Sequence, residues 1–326
     1  MGANVRQLRC ALTLLAIVLM PGMAAAQQEG RLARIGLVSL HSEELAVHVD
    51  GIRQELQKLG YTEGRAKIDA HFTNGDKPRA REILKSFVES RVDVIVAWTT
   101  PTVQLARETT QTVPIVMIAS DPIAAGLVAS LSRPGGNITG VSMSGPDLAG
   151  KRLELLREIK PGIGTVAFVG YAPAPGAAAF VRESEINADK IGLKVLVRLV
   201  QRVEDVNAEL FAALKRDGAE AVVVQPFFTG HAAEISALGL SAGLPVISDY
   251  PSFARAGALA SLGVDLGEQV KRTAYFIDRI LKGAKPADLP VEQPTRFELV
   301  FNARTAKTLN LPIAPNLLAR ADEVIE

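Results

Sequence analysis

The sequence predicts an α/β protein made of two lobes, each a doubly wound parallel sheet. Three observations support this. Short apolar β-branched runs alternate with helical stretches along most of the chain. Residues 93–122, DVIVAWTTPTVQLARETTQTVPIVMIASDP, and 221–251, AVVVQPFFTGHAAEISALGLSAGLPVISDYP, follow one pattern: apolar run, polar loop, helix, X-Pro, second apolar run, then Asp with Pro just beyond. Between the two copies lies Arg133-Pro-Gly-Gly-Asn-Ile-Thr-Gly-Val-Ser-Met-Ser-Gly145, which reads as a crossing from one lobe to the other. Two facing lobes make a cleft, and the cleft is where function is expected.

The chain opens with a segment set apart from the fold. Residues 1–26 carry Arg6 and Arg9, an apolar run over 10–20 and Ala24-Ala25-Ala26. A basic start, an apolar core of this length and small residues before the cut describe a secretory signal peptide rather than a membrane anchor. Cleavage after Ala26 leaves about 300 residues, enough for two lobes with their own cores. The full chain has 36 basic and 35 acidic residues, and the leader removes two Arg, so the mature chain has 34 against 35. That balance favours neither nucleic acid nor an anionic membrane as partner. The single Cys is Cys10, inside the leader. Disulfides, thiolate catalysis and zinc–thiolate sites are therefore not expected of the mature protein.

The elements follow in order. Arg34–Leu40 reads as the first strand. Leu45, Val49, Ile52, Leu56 and Leu59 recur at helical spacing over 43–59, and Gly60 stops that helix. Lys67–Phe72 alternates as a strand. Pro78 marks the first turn of a helix running to Ser90. Val92–Trp98 and Ile115–Ala119 are continuous apolar runs, as suits strands covered on both faces, with a helix between them ending near Thr110. Ile138–Met143 is the strand that leaves the lobe.

Residues 147–160 form a helix with Asp147 as its N-cap and Leu153, Leu155, Leu156 and Ile159 on its apolar face. Val166–Tyr171, Leu193–Val200, Ala221–Gln225 and Val246–Ser248 read as strands. Helices over 175–191, 203–216 and 231–242 lie between them. Ala258–Val264 is a short strand. Residues 266–282 form an amphipathic helix with Gly283 as its stop. Residues 284–296 hold three prolines and are extended. Phe297–Phe301 is a strand, 303–309 a short helix, and a last helix is expected near 315–325. The lobe limits expected are 31–142 with 261–284, and 143–260 with 285–326.

Several chemical motifs fail on inspection. Gly145–Lys151 has the G-x4-G-K spacing of a P-loop, but Arg152 stands where Ser or Thr would hold magnesium, and Pro146 lacks an N–H. The Gly162–Ala167 glycines precede a strand, whereas a dinucleotide turn follows one. His41, His48, His71 and His231 show no metal-ligand spacing. No G-x-S-x-G elbow occurs. Asn137-Ile-Thr139 fits a glycosylation pattern by accident of sequence. No catalysis, cofactor or metal is expected.

The informative residues stand at strand ends, because open α/β sheets bind ligands outside the carboxyl ends of their strands. Those ends carry Ser39, His41, Trp98, Thr99, Thr100, Ser120 and Asp121 in the first lobe. The second lobe supplies Tyr171, Gln225, Phe227, Phe228, Asp249 and Tyr250. Five of the chain's 16 aromatic residues fall in this set, which points to a ligand with a flat or apolar portion. Thr99 and Thr100 precede a helix whose free N–H groups suit a carboxylate. Asp121 or Asp249 suits an ammonium. Trp98 is either a stacking surface or a packing residue beneath the cleft.

Arg133–Gly140, Lys151-Arg-Leu-Glu-Leu155 and residues 278–301, DRILKGAKPADLPVEQPTRFELVF, resemble the bacterial ABC-transporter substrate-binding protein family that includes tryptophan- and tyrosine-type binding proteins. The likeness covers nearly all of the mature chain. It implies the type I periplasmic-binding fold, three crossing segments and lobes that close on a small solute. It also implies that the helix at 266–282 returns to the first lobe and that the strand at 297–301 joins the second. The function this implies is the periplasmic solute-binding component of an importer, a monomer whose partner is an inner-membrane permease. Aromatic amino acids are the best-attested ligand class. A binding protein that docks on a receptor or sensor kinase would have the same fold.

Overall fold

The computed structural model describes residues 31–40, 46–143, 147–174 and 177–326. The expected signal peptide, His41 and the first residues of the helix expected over 43–59 lie outside them. The first sheet is built from β1 (Ala33–Ser39), β2 (Ala66–Phe72), β3 (Val94–Trp98), β4 (Ile115–Ser120) and β5 (Ile138–Met143), in the order β2-β1-β3-β4-β5 and parallel throughout. Helices α1 (Ala46–Lys58), α2 (Lys77–Glu89) and α3 (Thr100–Thr109) connect its strands. Every residue of β3 is buried, as its unbroken apolar run requires. Asp76 caps α2 by accepting from the Arg79 N–H at 2.9 Å, with Pro78 in the first turn.

Helix α4 (Asp147–Ile159) enters the second lobe. Its sheet contains β6 (Thr165–Tyr171), β7 (Lys194–Val200), β8 (Ala221–Val224), β9 (Val246–Ser248), β10 (Ala260–Val264), β11 (Phe297–Asn302) and β12 (Glu323–Ile325). Their order is β12-β11-β10-β9-β8-β6-β7, and only the β10–β11 pair is antiparallel. The connecting helices are α5 (Ala177–Lys190), α6 (Ala208–Arg216), α7 (Ala232–Ala242) and the short α8 (Pro251–Arg255). Helix α9 (Leu266–Leu281) returns to the first lobe, where Val270, Ala274 and Ile277 pack with Val49, Ile52 and Leu56 of α1. After β11 come α10 (Ala303–Thr308) and α11 (Pro315–Arg320).

Two expectations change. The strand Ala260–Val264 lies in the second sheet, paired with β9 and β11, so the chain crosses at Asp265 and not at residue 261. The last helix stops at Arg320, and Glu323–Ile325 pairs with β11 instead. Asp322 explains the switch. Its N–H donates to the Leu299 carbonyl at 2.8 Å and its carboxylate accepts from the Leu299 N–H at 2.9 Å, which fixes the chain to β11 ahead of the β-branched Val324-Ile325.

The third crossing binds the edge of the first sheet. Glu292 N–H donates to the Gly140 carbonyl at 3.0 Å, and the Ser142 N–H donates to the Glu292 carbonyl at 2.7 Å. The Arg272 guanidinium of α9 holds the Glu292 side chain through both carboxylate oxygens. Nearer the second lobe, Asp265 N–H donates to the Arg296 carbonyl at 3.3 Å, and the two side chains pair at 3.2 Å. The second and third crossings are thereby tied together.

Gly140 makes this edge possible. Its φ is +136°, and a Cβ there would stand 2.3 Å from the Met117 carbonyl oxygen. Replacing Gly140 by Ala is expected to cost about 3 kcal/mol or more, through strained backbone and a forced separation of β4 from β5. Urea unfolding of the variant checks this. A loss under about 1 kcal/mol would show that the close approach is dispensable.

Candidate functional site

Because each sheet is parallel, its strand carboxyl ends gather at one side. At the first lobe's ends the backbone is strained. Thr99 has φ +90° and Asp121 φ +40°, in the region that side chains other than glycine rarely adopt. Their neighbours hold them there. Thr99 Oγ1 caps α3 by accepting from the Thr102 N–H at 3.3 Å. The Thr100 hydroxyl donates to the Ser120 carbonyl at 3.0 Å and accepts from the Ser120 N–H at 3.1 Å, joining the ends of β3 and β4. Asp121 Oδ1 accepts from the Ala124 N–H at 3.1 Å and is exposed. Ser39 is buried, and its carbonyl accepts from the Thr73 N–H at 3.0 Å.

Trp98 sits differently from its neighbours. Its ring is 1% exposed and packs with Val49, Ile52, Ile118 and Ala274 between the sheet and helices α1 and α9. The His48 ring meets it edge-on at 5.1 Å. In this structure the indole offers no open face to a ligand.

The second lobe shows the reverse. Tyr171 and Phe227 stack with ring centroids 4.3 Å apart and planes 11° from parallel, and Phe228 meets both edge-on from the core. Phe227 is 47% exposed, while Phe228 is fully buried. Gln225 fixes the base of this wall: its Oε1 accepts from the Tyr171 N–H at 2.8 Å, joining the ends of β6 and β8. Gln225 itself is buried, so its amide has a bracing role.

Asp249 ends β9 and is 7% exposed. Its Oδ2 lies 2.6 Å from Nη2 of Arg152 on α4, which is 1% exposed. Burial pushes the Asp249 carboxyl up to about 6, against the pull of the guanidinium. Tyr250, also buried, has its phenol pushed up by burial first and by the Asp249 charge second. In the sequence Arg152 stood out as a break in the P-loop pattern and as part of the Lys151–Leu155 stretch, without a role in the site. The signal was available: Leu148, Arg152, Leu155 and Ile159 recur at spacings of four, three and four, so a charge stands inside the apolar stripe of α4. Ser252, Ser261 and the Gln269 amide were missed as well, and each holds a buried polar atom with no hydrogen-bond partner.

Two surface recesses lie elsewhere. One is lined by Arg53, Gln57, Tyr61, Glu63 and Lys67, the other by Lys77, Arg81, Glu82 and Lys85, and neither touches a strand-end residue named above. Among the described residues no group of three His, Cys, Asp or Glu side chains gathers as a metal site would require. No helix among them is long and apolar enough to cross a membrane.

Residues 36–325 match the family model for the ABC transporter substrate binding protein. The chain belongs to that family. A curated relative, the tyrosine-binding protein of Clostridioides difficile (strain R20291), is 27% identical to this binding protein over 80% of its length and 76% of the relative's. A solved structure from Streptococcus pneumoniae in complex with L-Trp is 28% identical, covers 90% of this chain and all of the other, and superposes with a TM-score of 0.83. The ligand-free, open structure of a substrate binding protein with adhesive properties from Clostridium difficile is 26% identical over 90% of this chain and 99% of its own, with a TM-score of 0.71. The two lobes of the binding protein have the type I periplasmic-binding fold.

Two outcomes follow from the geometry. Trp98→Ala should cost the binding protein about 3–5 kcal/mol of stability, the scale of emptying a large aromatic site, while affinity for cargo stays within about threefold at temperatures where the variant is folded. Calorimetric titration beside chemical unfolding separates the two effects. A large affinity loss with unchanged stability would place the indole on the ligand.

The second outcome concerns pH. The Asp249 carboxyl in the folded state sits near 6, above its ordinary 3.8. The folded state therefore holds this proton more tightly than the unfolded chain. The group's stabilising contribution is complete below about pH 4 and is lost as pH rises through about 6. The stability difference between wild type and Asp249→Asn should shift against the wild type over that window, by on the order of 2 kcal/mol. Parallel unfolding curves at every pH would contradict the burial argument.

Proposed function

We propose that this protein is the periplasmic solute-binding component of an ABC importer and that its cargo is an aromatic amino acid. One observation carries the cargo reading: the exposed Phe227 face, stacked on Tyr171 and backed by Phe228, at the carboxyl end of the second sheet. An exposed aromatic wall at a strand end is unfavourable in water and favourable beneath a flat apolar group. The cargo named for two relatives, L-Trp and tyrosine, has such a group. The stacking role expected of Trp98 passes to Phe227 and Tyr171. Thr99, Thr100, Ser120 and Asp121 form the opposing polar rim, where the hydroxyls and the Thr100 N–H at the start of α3 suit a carboxylate.

The mechanism is closure. The moving bodies are the two sheets with their helices, and the crossings that follow β5, at Asp265 and at 292–296 are the hinge. Cargo favours the closed form only through contacts it makes with both lobes at once. The arrangement of this chain superposes better on the L-Trp complex than on the open ligand-free relative, which supports a closed form here. The closed form is then presented to a permease in the inner membrane. Export through the leader at 1–26 places the protein in the periplasm. No bond is broken, so binding needs no nucleophile or general base.

Thermal-shift screening of the common amino acids, sugars and nucleosides tests the class, because a ligand of the folded state raises the melting temperature by mass action. Trp, Tyr or Phe should give the largest shift. Phe227→Ala should then weaken binding by about 1–3 kcal/mol with little loss of stability, since the ring is half exposed. A sugar or nucleoside that outperforms every amino acid would refute the cargo reading.

A further inference from the structure

Arg152 occupies a place where the periodicity of α4 calls for an apolar residue. A guanidinium taken out of water loses several kcal/mol of hydration, so the fold must supply partners. It supplies two. Nη2 lies 2.6 Å from Asp249 Oδ2 as an ion pair without hydrogen-bond geometry, and Nε donates to the Leu262 carbonyl at 2.9 Å. Arg152 and its two partners come from α4, which follows the first crossing, from the residue after β9, and from β10, which runs into the second crossing. The backbone is pressed close at the same point: a Cβ on Gly263 would stand 2.0 Å from the Asp249 carbonyl oxygen.

This arrangement uses only half of the carboxylate. Asp249 Oδ1 is buried and accepts no hydrogen bond. A buried acceptor of this kind is a cost to the fold until a donor reaches it. The equivalent residue of the sequence repeat, Asp121, has no such vacancy. It is exposed, and its Oδ1 already accepts from the Ala124 N–H.

We propose that Asp249 receives the cargo's ammonium on Oδ1, and that Arg152 is the positioning residue that holds Oδ2 and leaves Oδ1 over for the ligand. This rests on the amino-acid reading of the cleft. Oδ1 is shielded in the present form, so the ammonium meets it in the opened cleft and is enclosed on closure. Arg152 and Asp249 together carry no net charge. A zwitterion therefore enters a balanced site, with its ammonium taken here and its carboxylate taken at the rim of the first lobe. A charged group paired inside the protein interacts more strongly than one paired at the surface, which makes this site a selector against cargo lacking the amino group.

Binding then depends on pH. Among the described residues, the charged group facing Asp249 is Arg152, and the neighbouring titratable group is Tyr250. With the Asp249 carboxyl near 6, a growing fraction is protonated below that pH, and an ammonium finds no anion.

Calorimetric titration with L-Trp, L-Tyr and 3-(indol-3-yl)propionate, which lacks the amino group, tests the proposal. Wild type should bind the better amino acid at least 30-fold more tightly than the propionate, with affinity falling below about pH 6. Asp249→Asn should lose most of that preference while keeping its affinity for the propionate, and its pH profile should flatten. Arg152→Met, which removes the guanidinium at similar volume, should move the midpoint of the pH profile upward, a shift that a purely structural role would not produce. Should either variant fail to fold, the amino-acid-to-propionate ratio and pH profile of the wild type decide. Equal wild-type affinity for Trp and the propionate overturns the assignment of Asp249. So does an Asp249→Asn variant that weakens both ligands alike. Binding of neither Trp nor Tyr by the wild type overturns the cargo reading instead, and this proposal with it.

Discussion

A parallel sheet sends all its connections back over its faces, so its strand carboxyl ends collect along one side. This protein contains two such sheets, and the chain leaves each from that side. β5 ends at Met143 and gives way to α4, and β10 ends at Val264 and gives way to α9. The crossings and the binding ends are therefore the same region. Residues that fasten the crossings and residues at the strand ends are therefore neighbours in sequence, and the positive φ values of Thr99 and Asp121 fall at those ends. The loops can hold such conformations because the strands behind them are fully buried and do not yield.

The two lobes solve the same end-of-strand problem differently. The first lobe ties its ends with short hydroxyl contacts, Thr99 to Thr102 and Thr100 to Ser120. These close most of the N–H groups at the start of α3, while the single indole lies below the surface against α1 and α9. The second lobe ties its ends with long side chains, Gln225 to Tyr171 and Arg152 to Asp249. These leave an aromatic wall and one carboxylate oxygen. One lobe thus ends in polar groups and the other in an aromatic wall beside a carboxylate, two chemistries that suit a molecule with a charged head and a flat body.

Much of this was legible in the sequence. Continuous apolar runs identified β3, β4, β8 and β9, because a strand covered on both faces has no polar residue to spare. The repeat identified the two lobes. The stretch 133–145 was legible as a crossing, but not the close approach of Gly140 to Met117, which depends on the β4–β5 pairing. The end of the chain was less legible: Ala321 and Asp322 look helical, and only the contact of Asp322 with Leu299 explains the strand. In the site, the strand ends were legible as a list but not as roles. Trp98 and Phe227 are both aromatic residues following apolar runs, yet one is in the core and the other at the surface. That difference depends on which sheet face the side chain meets, and on α9, which arrives from far along the chain. A pairing between residues 152 and 249 depends on tertiary packing in the same way.

Arg152 also shows what the fold gives up for its site. A buried ion pair with an unused oxygen stabilises less than a leucine and an alanine of matching volume would, because desolvation offsets most of its attraction. The neighbouring Ser261 and Gln269 add further buried polar atoms without partners. Each such group costs stability wherever no donor or acceptor reaches it. The apolar cores of the two lobes carry the stability that makes these buried polar groups tolerable.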